Sequence, residues 1–200
     1  MNKAAIFALG MLGAAEARMG EGSCPTGVTY MDNFEPARFA GKWFQVESDS
    51  VHRWASESSC VTQEYAMNAD GNLDLYFRGN YNGGYRGING TLYDCETGTC
   101  QATMGSRTDR RWPFEFFATD YENYHISYHC YERDGQFSEF LSVNSRQAGL
   151  SPRLNDLIRA TVAERLPWYV EYLDSDAVKV TPQGGVGMAN CVYNWNLNHD

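Results

Sequence analysis

From about residue 40 to 145 the chain alternates short aromatic and β-branched runs with turn residues at fairly even spacing, a period-two pattern that predicts strands. The runs cover 42–49, 60–67, 72–81, 85–94, 99–104, 112–120, 123–132 and 137–145. Their succession predicts one up-and-down antiparallel sheet of eight strands. Asn68-Ala69-Asp70-Gly71-Asn72 and Asn82-Gly83-Gly84 read as hairpin turns, because these residues accept the positive φ that such turns require. Only one segment has a helical period. Ser151 is its N-cap, Pro152 takes the first helical position, and Leu154, Leu157, Ile158, Val162 and Leu166 share one face until Pro167 stops it. The expected fold class is all-β: a closed eight-stranded antiparallel barrel with one C-terminal helix, about 152–166, packed outside.

Composition narrows the class. Two hundred residues, 43% hydrophobic and 20% charged, make one domain. Sixteen Lys and Arg against 25 Asp and Glu leave a net charge of −9, which would repel phosphate backbones, so no nucleic-acid partner is expected. Lys3 precedes an apolar run from Ala4 to Ala15 that ends at Ala15-Glu16-Ala17, a small-x-small cleavage pattern. Residues 1–17 therefore read as a signal peptide, 18–200 as the barrel domain, and the protein as secreted. The run falls short of the roughly 20 apolar residues that span a bilayer, so no transmembrane anchor is expected.

Export also gives the six cysteines a reading, since an even count in an oxidising compartment is usually a disulfide set. Cys95-x4-Cys100 has no second pair with it and His52, His125, His129 and His199 make no ligand cluster, so no metal is expected. Cys24 could imitate a lipoprotein cysteine, but Glu21-Gly22-Ser23 is a poor lipobox.

Three local motifs then carry a resemblance. The segment from Asn33 to Phe44, with Gly41-Lys42-Trp43, resembles the Gly-x-Trp signature that opens a lipocalin barrel. Thr119-Asp120-Tyr121 followed by Asn123-Tyr124 resembles the second lipocalin signature, and Ser145-Arg146 the third. Order and spacing match over roughly residues 24–191, most closely to the apolipoprotein D and insect bilin-binding branch, which includes the crustacean carotenoid carriers. The resemblance implies Cys24–Cys130 and Cys60–Cys191 bridges, the second tying back the C-terminal tail. Cys95–Cys100 departs from that two-bridge pattern and reads as a local staple. It also implies that Trp43 plugs the closed end with Arg146 across its indole, a structural role apart from the ligand.

Function is then expected in the interior, where every second residue of a strand points. Leu73, Leu75, Phe77 and Gly79 form one inward set, and Ile88, Gly90 and Leu92 another, leaving Asn89 outside in a glycosylation sequon, Asn89-Gly90-Thr91. Trp112, Phe114, Phe116 and Ala118 make an aromatic wall. If Cys130 faces out to meet Cys24, then His125, Ser127, His129 and Tyr131 face in. Gln45 is the expected polar member and Phe140 a further lining residue. The set fits a small hydrophobic ligand: a bilin, carotenoid, retinoid, sterol or fatty acid. No cofactor is implied beyond such a pigment or lipid, and pigment carriers of the branch often form homo-oligomers.

At the mouth, Arg107, Arg110 and Arg111 beside Trp112 are candidates for a ligand carboxylate, or equally a solvated loop paired with Asp109. His52-Arg53-Trp54, Tyr81 and Tyr85 join them there. Whether the barrel is open or filled stays undecided by sequence, and so do the faces of 99–104. An enzyme is not expected. A lipid or carotenoid isomerase or de-epoxidase is the alternative on the same barrel, and an interaction module with a filled barrel is another. His125-x-Ser127-x-His129 is the obvious catalytic candidate, but at about 3.4 Å per residue its histidines lie roughly 13 Å apart.

Overall fold

The structure is a computed structural model that describes residues 18–49, 57–173, 175, 177–184 and 190–193. The proposed signal segment, the His52-Arg53-Trp54 loop and His199 lie outside these residues.

Eight strands form the barrel: β2 (Gly41–Asp49), β3 (Ser59–Met67), β4 (Leu73–Tyr81), β5 (Gly84–Tyr93), β6 (Thr99–Met104), β7 (Arg107–Thr119), β8 (Tyr124–Arg133) and β9 (Gln136–Ser145). Each pairs antiparallel with the next, and β9 pairs with β2 to close the ring. Two short strands add to its edges, β1 (Met19–Glu21) on β9 and β10 (Val178–Val180) on β2. Turn chemistry sets the register: Asn82 and Gly83, with φ of 50° and 72°, link Tyr81 to its partner Gly84 in a two-residue hairpin. Asn68 organises the other expected turn, its side-chain oxygen accepting from the backbone N–H of Asp70 at 3.1 Å and of Asn72 at 3.0 Å.

Three sequence expectations need correction. β7 starts at Arg107, not 112: the hairpin at Gly105 pairs Arg107 with Met104, and after a register shift the strand pairs again at Trp112 with Ala102, beyond a stretch that has no apolar alternation. The register slips between Phe116 and Ala118, so Phe116 faces in opposite Ser127 while Ala118 turns out with Ile126. Helix α2 (Pro152–Arg165) has the expected cap, Leu154 N–H donating to the Ser151 hydroxyl at 3.2 Å. Its buried stripe is Ile158 and Val162, continued by Leu166, whereas Leu157, one position round the helix, is 49% exposed.

Beyond α2 the chain forms a 3-10 turn, Pro167–Tyr169, and a short helix α3 (Val170–Leu173). Another short helix, α1 (Pro36–Phe39), precedes the barrel. Two apolar cores result. One lies outside the sheet, where α2 and Tyr169 cover Ile126, Tyr128, Leu141 and Val143. The other fills the closed end around Phe39, Trp43, Tyr65, Leu73, Leu92 and Phe116. All six cysteines are bridged, as Cys24–Cys130, Cys60–Cys191 and Cys95–Cys100.

Candidate ligand-binding site

The floor is built first. Trp43 is fully buried, its indole N–H donating to Phe39 O at 3.0 Å. The Arg146 guanidinium lies 3.5 Å from the indole centroid and donates to Tyr121 O, Lys42 O, Phe39 O and Ala40 O at 3.0–3.2 Å. Burial lowers its pKa to about 10, which leaves it charged at neutral pH. Gly41 is required here: its φ is +107°, and a Cβ would meet Arg146 Nη1 at 3.0 Å. Asp120 caps the turn by accepting from the N–H groups of Glu122, Asn123 and Tyr124, while the Thr119 hydroxyl donates to Tyr124 O at 2.6 Å. Tyr121 reaches back, its hydroxyl donating to Asn33 O at 3.2 Å and accepting from Glu35 N–H at 3.0 Å. All these signature residues hold the plug together.

Above the plug the inner face is divided. Leu73, Leu75, Phe77, Leu92, Ala102, Phe114 and Phe116 from β4–β7 make an apolar wall. Gln45, Gln63, His125, Ser127, His129, Ser142 and Asn144 from β2, β3, β8 and β9 are all buried and supply a polar one. Period-two reading found Gln45 and the β8 residues but missed Gln63, Ser142 and Asn144. Their signal was the alternation Gln63-x-Tyr65 and Ser142-x-Asn144, obscured because polar residues on a strand normally mark its solvent face. Within this wall Tyr65 OH donates to Gln63 Oε1 at 2.6 Å, Gln63 Nε2 to Asn144 Oδ1 at 3.0 Å, and Asn144 Nδ2 to Ser142 Oγ at 3.3 Å. Gln45 faces the C-terminal segment, its amide donating to Thr181 Oγ1 at 2.9 Å.

His125 lies at the floor with its ring 4.8 Å from Trp43, 4.9 Å from Phe39 and 5.9 Å from Phe116, centroid to centroid. Burial, and then the Arg146 charge, hold its pKa well below the usual imidazole range. The ring is therefore neutral, with one nitrogen a donor and the other an acceptor. Among the described residues neither nitrogen has a partner, and nor does the Ser127 hydroxyl. Each such buried group costs about 1–3 kcal/mol while unpaired. Higher on the same strand His129 meets Glu115 at 3.1 Å and stacks on Phe140 and Tyr131, each at 6.1 Å.

The rim separates residues that the sequence grouped. Ile88 pairs with Phe77, so it shares the inner side, yet it is 39% exposed, and Tyr131 above His129 is 44% exposed. Both border the opening. Arg110 lies in line with Trp112, 5.8 Å from its ring centroid, and Trp112 pairs with the buried Ala102 of the inner wall. Arg111 turns the other way, 4.0 Å over the ring of Tyr93 and 3.3 Å from the carboxylate of Asp94. Arg111 thus pairs with Asp94, where the sequence offered Asp109 as a partner in one of its two readings. Asn89 is exposed on the outer face opposite Tyr76.

Two seams in the wall are covered by the chain's own ends. β2 pairs with β3 only over Gly41–Phe44, and above that point β10 and Pro182 line the gap. β7 and β8 pair only from Phe116 towards the closed end, and near the gap above lie Glu115, His129 and Tyr30. Burial, and then Glu115, push the Tyr30 phenol far above its ordinary pKa. A crevice of about 310 Å³ borders the Cys95–Cys100 turn and is lined by Phe34, Pro36, Leu73, Leu92, Asp94 and Glu96 among others. None of the polar wall lines it, and the buried His125 and Ser127, with no partner among the described residues, mark the barrel interior as the candidate site.

The family model of the lipocalin / cytosolic fatty-acid binding proteins matches residues 40–165. Apolipoprotein D of Bos taurus is 29% identical over 134 residues, covering 60% of this chain but 65% of its own length, so the match spans just under two thirds of that protein. Purpurin of Gallus gallus is 25% identical over 180 residues, 77% of this chain and 86% of that protein. Among solved structures, insecticyanin from the tobacco hornworm Manduca sexta superposes with a TM-score of 0.66 at 18% identity, covering 82% of this chain and 87% of that one. Closed barrel, external helix, Trp43–Arg146 plug and family match agree, and the chain belongs to the lipocalin / cytosolic fatty-acid binding protein family.

Proposed function

We propose that the protein is a secreted carrier that holds one small hydrophobic ligand inside the barrel. The observation that carries this reading is the divided interior: an aromatic and aliphatic wall on β4–β7 facing a buried polar wall, above a sealed floor and below a rim that exposes Ile88 and Tyr131. Such a surface takes an elongated apolar molecule and orients it by a few polar contacts. The similarity to apolipoprotein D and to insecticyanin supports the same reading. Secretion is supported by the apolar N-terminal run and by three disulfides. We infer binding and not turnover, because His125 and His129 are four positions apart on an extended strand, roughly 13 Å, too far to share a proton. The resemblance also implies self-association, which sedimentation velocity tests.

Native mass spectrometry and an absorption spectrum of protein purified from its source test the carrier reading. A co-purifying apolar molecule supports it, and a visible band would assign that molecule to the pigments. Protein that arrives empty and takes up no bilin, carotenoid, retinoid, sterol or fatty acid would overturn it.

A further inference from the structure

We propose that the barrel floor holds a neutral, hydrogen-bonding oxygen of the ligand, a keto or hydroxyl group, between His125 and Ser127. The inference rests on the carrier reading and adds the ligand's chemistry and orientation: oxygen end deepest, apolar body along Leu75, Phe77 and Phe114.

Unmet hydrogen-bonding capacity in the polar wall is concentrated on β8. Gln63, Tyr65, Asn144 and Ser142 bond one another. Both His125 nitrogens and Ser127 Oγ have no partner among the described residues, although His125 is wholly buried and Ser127 is 3% exposed. The two residues are i and i+2 on one strand, so both point inward, about 7 Å apart along the backbone. Around His125 the neighbours are the rings of Phe39, Trp43, Tyr65 and Phe116; the two that carry a donor use it elsewhere, Trp43 on Phe39 O and Tyr65 on Gln63 Oε1. A neutral imidazole and a hydroxyl together offer donors and acceptors to a keto or hydroxyl oxygen. A carboxylate fits less well, since the Arg146 guanidinium beneath uses its donors on backbone carbonyls of the plug and has no N–H directed at the interior to pair with a buried anion. A bare hydrocarbon would leave both groups unpaired, and a site built to bond an oxygen discriminates against the analogue that lacks it.

The test is binding of matched pairs, oxygenated and hydrocarbon, on three skeletons: a linear sixteen-carbon chain, a retinoid and a steroid. Wild-type protein should favour the oxygenated member of at least one pair by about tenfold or more. His125→Phe, which keeps a ring in the aromatic cage, and Ser127→Ala should each shrink that preference to within about threefold without abolishing hydrocarbon binding. Equal binding of both members by wild type, or variants that shift both members alike, would mean that water alone serves these groups and would overturn the subsite while leaving the carrier standing. Failure of every member of every pair to bind would overturn both readings.

Discussion

The disulfide from Cys60 to Cys191 ties the C-terminal tail to the strand beside which that tail is wedged: Cys60 N–H donates to Pro182 O at 2.7 Å, and Val178–Val180 pairs with Asp49–Glu47 of β2. Gln183 completes the join by donating to Gln45 O at 2.7 Å and Val61 O at 2.8 Å. The bridge closes a loop spanning 131 residues and holds shut a seam that β2 and β3 leave open above Phe44. Cys24–Cys130 has the corresponding place on β8, below which the N-terminal segment passes Glu115.

Replacing Cys60 and Cys191 together by Ser should therefore cost about 2–5 kcal/mol in urea unfolding. The loss should come with faster amide exchange at Glu47–Asp49 and unchanged exchange at Tyr128 and Leu141. Unaltered exchange on β2 would show that the tail is held without the bridge.

The plug makes a second prediction. Arg146→Ala removes a cation over Trp43 and leaves several buried carbonyls without a donor, so it should lower stability by about 3–5 kcal/mol. Arg146→Lys should recover only part of this, because an ammonium lacks the planar fork that reaches carbonyls on both sides. Denaturant midpoints measure both, and ligand affinity corrected for folded fraction should stay within about twofold of wild type, since Arg146 does not face the interior.

Much of this was legible in the sequence, and the failures share a cause. Alternation found the eight barrel strands because one face of each is apolar, and hairpin residues such as Asn82-Gly83 fixed their ends. The same rule failed at Ala118, where a bulge at Phe117 changes which residues face in, because a bulge shifts parity without altering composition. It also failed at Arg107–Arg111, which lie between two points of pairing with β6, Arg107 with Met104 and Trp112 with Ala102, and whose side chains do not announce a strand. The buried polar wall is the deepest omission. Gln63, Ser142 and Asn144 were given no face by the sequence, although Phe140 shares the parity of Ser142 and Asn144, and closure of β9 on β2 brings all three together inside.

His125 should leave a signature in the pH dependence of stability. Its folded pKa lies well below the ordinary value of about 6.5, for burial and the Arg146 charge disfavour the cation. Above that value the ring is neutral in both states and contributes no slope. As pH falls below it the unfolded chain takes up a proton that the folded one refuses, so stability drops by up to about 1.4 kcal/mol per pH unit. Urea midpoints at pH 7.5 and 5.5 should show wild type losing about 1 kcal/mol more than His125→Phe over that interval. Identical losses would mean that His125 takes up its proton as readily in the fold as in the unfolded chain.

The two walls of the barrel are tested by charge. Phe77 packs against the closed-end core, whereas Tyr76 beside it faces out with its ring 5.8 Å from the Arg78 guanidinium. Phe77→Asp should weaken apolar ligand binding at least about tenfold after correction for folded fraction, since it buries an unpaired carboxylate in the cavity wall. Tyr76→Asp should leave affinity within about twofold. Equal effects would mean that β4 has been assigned the wrong face.

The arginines at the rim differ in what they can reach, and single variants should separate them. Arg111 is committed to Asp94 and Tyr93 on the outer face, whereas Arg110 lies beside Trp112 in line with the inner wall. Arg110→Gln should therefore weaken binding of an acidic ligand such as retinoic acid by about tenfold, the scale of a partly solvated charge-assisted hydrogen bond, and leave its methyl ester nearly unchanged. Arg111→Gln should change neither. Raising the salt concentration should shrink the difference between acid and ester in the wild type, because the rim is open to water and its charges are screened. An Arg110 variant that binds acid and ester as the wild type does would mean that this cation serves only the solvated edge, and that apolar contact and the polar wall hold the ligand.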